Sequence, residues 1–89
     1  MQNLENRVVI VTGGSGGIGI VASELMGQRG ARIVLAELDG KRAEVEARRL
    51  REKGLKTIAI ETDVADKLSV ADMVAKVVDK YGRVDGLVN

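Results

Sequence analysis

The sequence predicts a three-layer α/β/α fold around a parallel sheet, in the order βαβαβαβ, and three observations predict it. Short apolar or β-branched runs recur along the 89 residues, at Val8–Val11, Ile33–Ala36, Thr57–Ile60 and Asp85–Asn89. Stretches of helical length lie between them, with apolar residues at helical spacing. Each of these stretches ends at a glycine. Strands alternating with helices of about 12–15 residues imply parallel pairing with right-handed crossovers.

Val8–Val11 is continuously apolar rather than alternating, as suits a strand buried on both faces. Beyond the glycines that follow it, Ile18, Val21, Ala22, Leu25 and Met26 recur at helical spacing. Gly30 is the natural stop, because glycine tolerates a left-handed φ. The second strand, Ile33–Ala36, is closed by Glu37. Asp39 or Gly40 opens a second helix with Ala43, Ala47 and Leu50 on one face, and Gly54 ends it. Glu44 and Arg48 stand at i,i+4 on its outer face in the favourable orientation. After the third strand, a third helix is expected from about Ser69 to Tyr81, burying Val70, Val74, Val77 and Tyr81. Ser69 and Asp72 resemble a capping box at its start. Gly82 ends it, and Asp85–Asn89 begins a fourth strand.

The length suits one small domain. The chain has no Cys, which excludes disulfides and thiol chemistry, and no His, the commonest general base and metal ligand. No metal site is expected. Fourteen basic residues nearly balance 13 acidic ones, for a net charge of +1. The basic residues between Lys41 and Lys56 are interleaved with Glu44, Glu46 and Glu52, a solvated helix face rather than a nucleic-acid patch. No apolar run approaches the ~20 residues needed to span a bilayer, and the N-terminus has no apolar signal core. A soluble, cytoplasmic protein with neither a membrane nor a nucleic-acid partner is expected.

The turn Thr12-Gly13-Gly14-Ser15-Gly16-Gly17-Ile18-Gly19 is the most telling feature. A strand, a glycine-rich turn and a helix N-terminus together make an anion site, because free N–H groups and the helix dipole meet there. Gly14, Gly16 and Gly19 fit the G-x-G-x-x-G dinucleotide fingerprint, and Glu37 follows 18 residues beyond Gly19 at a strand end. The phosphate-binding lysine of a P-loop is missing. Thr12, Gly13, Gly17 and Gly19 also fit T-G-x-x-x-G-x-G, which resembles the short-chain dehydrogenase/reductase family. Asp63-Val64 is similar to that family's D-V pair after the third strand. Asp85-Gly86-Leu87-Val88-Asn89 is similar to the start of its D-x-L-V-N-N-A-G segment on the fourth. The resemblance covers the whole chain and implies a partial Rossmann-type fold with sheet order 3-2-1-4. Residues 1–89 would then be the N-terminal portion of a single dinucleotide-binding domain.

The resemblance also implies a set of cofactor-binding residues. Gly13, Ser15, Gly16, Gly17, Ile18 and Gly19 form the phosphate turn, in which Ser15 either meets a ribose or phosphate oxygen or only holds the turn. Thr12 braces it. Glu37 would accept from both ribose hydroxyls of the adenosine and repel a 2′-phosphate, which favours NAD over NADP. Gly16 and Leu38 stand where NADP-using members often carry basic residues, and Arg42 is expected to point to solvent. Asp63 would contact the adenine amino group, or merely stabilise its own turn, while Val64 flanks the ring. Asn89 completes the set.

Members of this family transfer hydride between nicotinamide and an alcohol or carbonyl carbon, using a Ser, a Tyr-x-x-x-Lys pair and an Asn. The one Tyr here, Tyr81, is followed four residues later by Asp85, so no catalytic residue is assigned and the chain alone is expected to be inactive. It spans about the first third of such a fold, as a fragment or a truncated product. The fourth strand would then be an open edge, with Leu87 and Val88 short of cover, and self-association through it is expected. Two other readings stand beside this one. A non-catalytic nucleotide-binding or regulatory module fits the same turn. An S-adenosylmethionine methyltransferase fits less well, since Thr12 stands where that fold usually has an acid.

Overall fold

The computed structural model describes residues 3–13 and 16–89. Its elements run β1 (Val8–Thr12), α1 (Gly17–Gln28), β2 (Arg32–Glu37), α2 (Gly40–Glu52), β3 (Thr57–Glu61), α3 (Lys67–Tyr81) and β4 (Gly86–Val88). The four strands form one parallel sheet in the order β3-β2-β1-β4, as the sequence predicts. Val9 pairs with both Ile33 and Gly86, and Glu37 pairs with Glu61.

The two central strands β1 and β2 are buried on both faces, which explains why they read as unbroken apolar runs. Successive residues of a strand point to opposite faces. Val9, Val11, Ile33 and Leu35 therefore pack with Ala43 and Ala47 of α2, joined by Met26 of α1. Val8, Ile10, Val34 and Ala36 meet Met73 and Val77 of α3 on the other side. The two directions of crossover thus put α1 and α2 on one face and α3 on the other. Among the described residues no helix is long and apolar enough to cross a membrane.

α2 matches its pattern: Ala43, Ala47 and Leu50 are its buried residues, and Asp39 caps it by accepting from Arg42 N–H at 3.1 Å. Glu44, however, pairs with Arg51 rather than with Arg48. The helix stops are also where expected, with Gly30, Gly54 and Gly82 all at positive φ.

α1 departs from its pattern. Its buried residues are Ser23 and Gly27, while Ile18, Val21 and Leu25 are exposed. The reason is close approach: a Cβ on Gly27 would stand 3.2 Å from Leu55 Cδ1, so the helix packs through its small residues. α3 begins at Lys67, earlier than expected, and buries Met73 with Val77, while Val70, Val74 and Tyr81 are half-buried. The capping box at Ser69 and Asp72 does not form. Asp66 is the N-cap, accepting from Leu68 N–H at 2.9 Å. That puts Ser69 inside the first turn, where its hydroxyl reaches back to accept from Asp63 N–H at 2.9 Å. Asp72 instead pairs with Lys76 one turn on.

Candidate functional site

At the C-terminal edge of the sheet the chain leaves β1 toward one face, while β4 on the other side of β1 has arrived from the opposite face. Open α/β sheets bind ligands in the crevice at such a switch point. Thr12 ends β1 there. Its hydroxyl donates to Asn89 Oδ1 at 2.7 Å and stands 3.3 Å from the Val88 carbonyl, so it joins the ends of β1 and β4. The Thr12 hydroxyl thus braces the end of β4 and Asn89, not the glycine turn expected from the sequence.

Gly13 turns the chain out of the sheet with φ at 63°, a left-handed conformation that costs a side-chain-bearing residue about 1 kcal/mol or more. Its N–H donates to the Ala36 carbonyl at 3.1 Å, and its own carbonyl accepts from Gly16 N–H at 3.0 Å. The turn is thus pinned to β2 on one side and to the start of α1 on the other. Gly14 and Ser15 lie outside the described residues, and with them the choice between the two roles of Ser15.

The N-terminus of α1 differs from those of its neighbours in what it offers a ligand. α2 and α3 have Asp39 and Asp66 at the N-cap, whose carboxylates accept first-turn N–H groups. α1 has Gly16 there, which has no side chain to offer. The positive end of its dipole is therefore suited to an external anion. The space is also suitable. Among the described residues, a Cβ on Gly17 would meet no atom of another element within 4 Å, so packing between elements does not demand glycine at this position. A phosphate lying close to the backbone would. The turn fits a dinucleotide pyrophosphate on these grounds.

One pocket of about 400 Å³ gathers Gly13, Gly16, Gly17, Ile18, Gly19 and Asn89. A second, of about 300 Å³, opens on the α3 side of Thr12 and has Val64 and Asn89 in its wall with Met73 and Leu87. Glu37 and Leu38 stand at the end of β2, Glu37 half-buried and Leu38 exposed. Val64 is exposed as well. Asp63 follows β3 and is tied into its turn: Oδ1 accepts from Ala65 N–H at 3.0 Å and its carbonyl from Asp66 N–H at 3.0 Å. The turn-stabilising geometry weighed for Asp63 is therefore present, and Oδ2 remains beyond it. Ser69, which holds Asp63 N–H, was not legible as a site neighbour. Its signal is a serine in the first turn of α3, six residues after the Asp.

Two residues belong to the opposite edge of the sheet. Tyr81, at the end of α3, packs beneath Arg32 with the guanidinium 5.1 Å from its ring centroid, and burial pushes its pKa up. Asp85, before β4, accepts from Val8 N–H and from Arg83, and the Arg83 hydrogen bonds hold its carboxyl down at about 2. Among the described residues no group of His, Cys, Asp or Glu could hold a metal ion.

Residues 7–89 match the short chain dehydrogenase family. The chain belongs to this family. An uncharacterized oxidoreductase of Thermotoga maritima is 45% identical over 86 residues, covering 97% of this chain and 34% of that protein. The citronellol catabolism dehydrogenase of Pseudomonas aeruginosa superposes with a TM-score of 0.93 at 28% identity, over 100% of this chain and 38% of that one. A Haemophilus influenza protein assigned as a D-mannonate oxidoreductase, solved with bound NAD, superposes with a TM-score of 0.91 at 26% identity, over 97% and 31% of the two chains. This short chain dehydrogenase sequence thus spans about a third of the length of the relatives it matches.

Proposed function

We propose that this chain is the adenosine-binding, N-terminal portion of an NAD-dependent oxidoreductase that moves hydride between nicotinamide and an alcohol or carbonyl carbon. The observation that carries the reading is the N-terminus of α1, whose N-cap Gly16 offers no side chain, opening on the switch-point pocket beside Gly13 and Gly17. In this reading the pyrophosphate lies on Gly13, Ser15, Gly16, Gly17, Ile18 and Gly19. Glu37 takes the adenosine ribose hydroxyls. Asp63 Oδ2 accepts from the adenine amino group, with Leu38 and Val64 against the ring. Asn89, held by Thr12, closes the pocket toward the nicotinamide half. Bound NAD would supply the hydride chemistry, and this chain's residues bind and orient it. The chain alone would bind without turnover, since it has no Tyr-x-x-x-Lys pair.

The charge of Glu37 supports NAD over NADP, because a 2′-phosphate beside it would be repelled. Calorimetry with both dinucleotides tests the reading: NAD is expected to bind more tightly. Tighter NADP binding would overturn the preference, and no binding of either would overturn the site.

We further infer that the chain self-associates through β4. That strand pairs only with β1 among the described residues, and Leu87 on it is 64% exposed. An unpaired edge with an apolar side chain is a template for another strand.

A further inference from the structure

Glu37 and Glu61 are register partners at the ends of adjacent parallel strands. Their backbones are about 4.8 Å apart and their side chains leave the same face of the sheet, the one covered by α2. Gly40, the first residue of α2, comes down directly on Glu61. A Cβ at Gly40 would stand 2.9 Å from both Glu61 Cβ and Glu61 Oε1. Glycine at position 40 thus lets the start of α2 approach Glu61 closely, with no side chain between the helix and the glutamate. The α2 N-terminus already has a carboxylate cap in Asp39, so Glu61 is not needed for capping. Like charges opposite each other on neighbouring strands work against the sheet. Glu61 thus adds a second negative charge at this corner of the sheet, below the first turn of α2.

We propose that Glu61 is a second cofactor-specificity residue, a negative charge fixed beside Glu37 that disfavours a phosphate on the adenosine 2′-oxygen. The proposal rests on the dinucleotide reading above. A ribose diol carries no charge, whereas a phosphomonoester brings about −1.5 to −2. Glu37 meets the ribose directly and distinguishes the two by hydrogen bonding as well as charge. Glu61 lies one strand further out, so its contribution is Coulombic and passes partly through water. Such a contribution is screened by salt on the scale of the Debye length, which separates it from any structural role.

The test uses the 89-residue chain, its Glu61→Gln and Glu61→Asp variants, and calorimetry with NAD and NADP at low salt and at about 0.5 M salt. Glu61→Gln is expected to tighten NADP about threefold to tenfold at low salt while NAD changes less than about twofold. The gain should shrink at high salt, and Glu61→Asp should behave as the parent chain. An unchanged NADP affinity in Glu61→Gln overturns the proposal. So does a gain that persists undiminished in high salt, or one that Glu61→Asp reproduces. Binding of neither dinucleotide by the parent chain overturns the dinucleotide reading itself, a distinguishable failure.

Discussion

Val8 and Asp85 hold each other in both directions: Val8 N–H donates to Asp85 Oδ2 at 2.8 Å, and Asp85 N–H donates to the Val8 carbonyl at 2.8 Å. The carboxylate also takes Arg83 at 2.8 and 2.6 Å and Arg7 at 3.4 Å. A three-residue strand is thereby aligned on β1 from one end, while Thr12 and Asn89 align it from the other.

The first prediction concerns pH. Hydrogen bonds from Arg83 first, then from Val8, lower the Asp85 pKa from 3.8 to about 2. A carboxyl whose folded pKa lies below its unfolded value adds stability above the unfolded value and loses it as pH falls through the folded one. Asp85→Asn should therefore melt at a lower temperature than the parent near neutral pH, and the gap should narrow between 3.8 and about 2. Thermal melts followed by circular dichroism across that range check this. A gap independent of pH would mean that the charge of Asp85 is not what aligns β4.

Thr12 bears on binding rather than on acid stability. Thr12→Val keeps the shape of the side chain and removes the hydroxyl that reaches Asn89. The loss of one hydrogen bond at a partly exposed site should cost about 0.5–1.5 kcal/mol in urea denaturation. If Asn89 is part of the cofactor pocket, its release should also weaken NAD about threefold to tenfold through misplacement. Thr12→Ser, which keeps the donor, should restore both. A Val variant that binds NAD normally would remove Thr12 and Asn89 from the site.

The start of α3 gives a contrast between two acids. Asp66→Ala removes the N-cap acceptor of Leu68 N–H and should cost about 1 kcal/mol. Asp72→Ala breaks only the exposed i,i+4 pair with Lys76 at 3.0 Å and should cost less than about 0.5 kcal/mol. Equal losses in chemical denaturation would restore the capping-box reading of Ser69 and Asp72.

That contrast also shows what the sequence could and could not convey. Ala43, Ala47 and Leu50 were legible because one face of α2 is buried by apolar side chains, and periodicity reports that directly. α1 was not, because it approaches through Ser23 and Gly27, and close packing of small residues has no hydrophobic signature. At α3, Asp66 and Ser69 both offer a capping side chain within one turn, and the choice falls to Asp63, whose N–H needs the serine. The passage from β1 through the glycines into α1 was legible because strand, glycine and helix are consecutive in sequence. The clamps on β4 were not, since Asp85 finds Val8 and Asn89 finds Thr12 across more than 70 residues.

Self-association should respond to the β4 edge. Leu87 is 64% exposed and Val84 39%, both in the wall of the apolar pocket on the α3 side. Leu87→Asp places a charge on that edge, a device that discourages strand pairing. Sedimentation at tens of micromolar should show the parent chain associating and the variant shifted toward monomer. A monomeric parent would overturn the proposed edge contact.

Gly17 offers a test in which stability and binding move in opposite directions. Among the described residues a Cβ there meets no atom of another element within 4 Å, and the residue is the first of α1. Glycine is a poor helix residue, so Gly17→Ala should leave folding unchanged or improve it by up to about 1 kcal/mol. The same methyl would stand where the backbone must approach a pyrophosphate, and NAD affinity should fall at least about tenfold. A purely structural glycine would give no loss of binding, and a glycine needed for packing would give a loss of stability. Improved melting together with weakened NAD binding is the outcome that only a phosphate-binding turn explains.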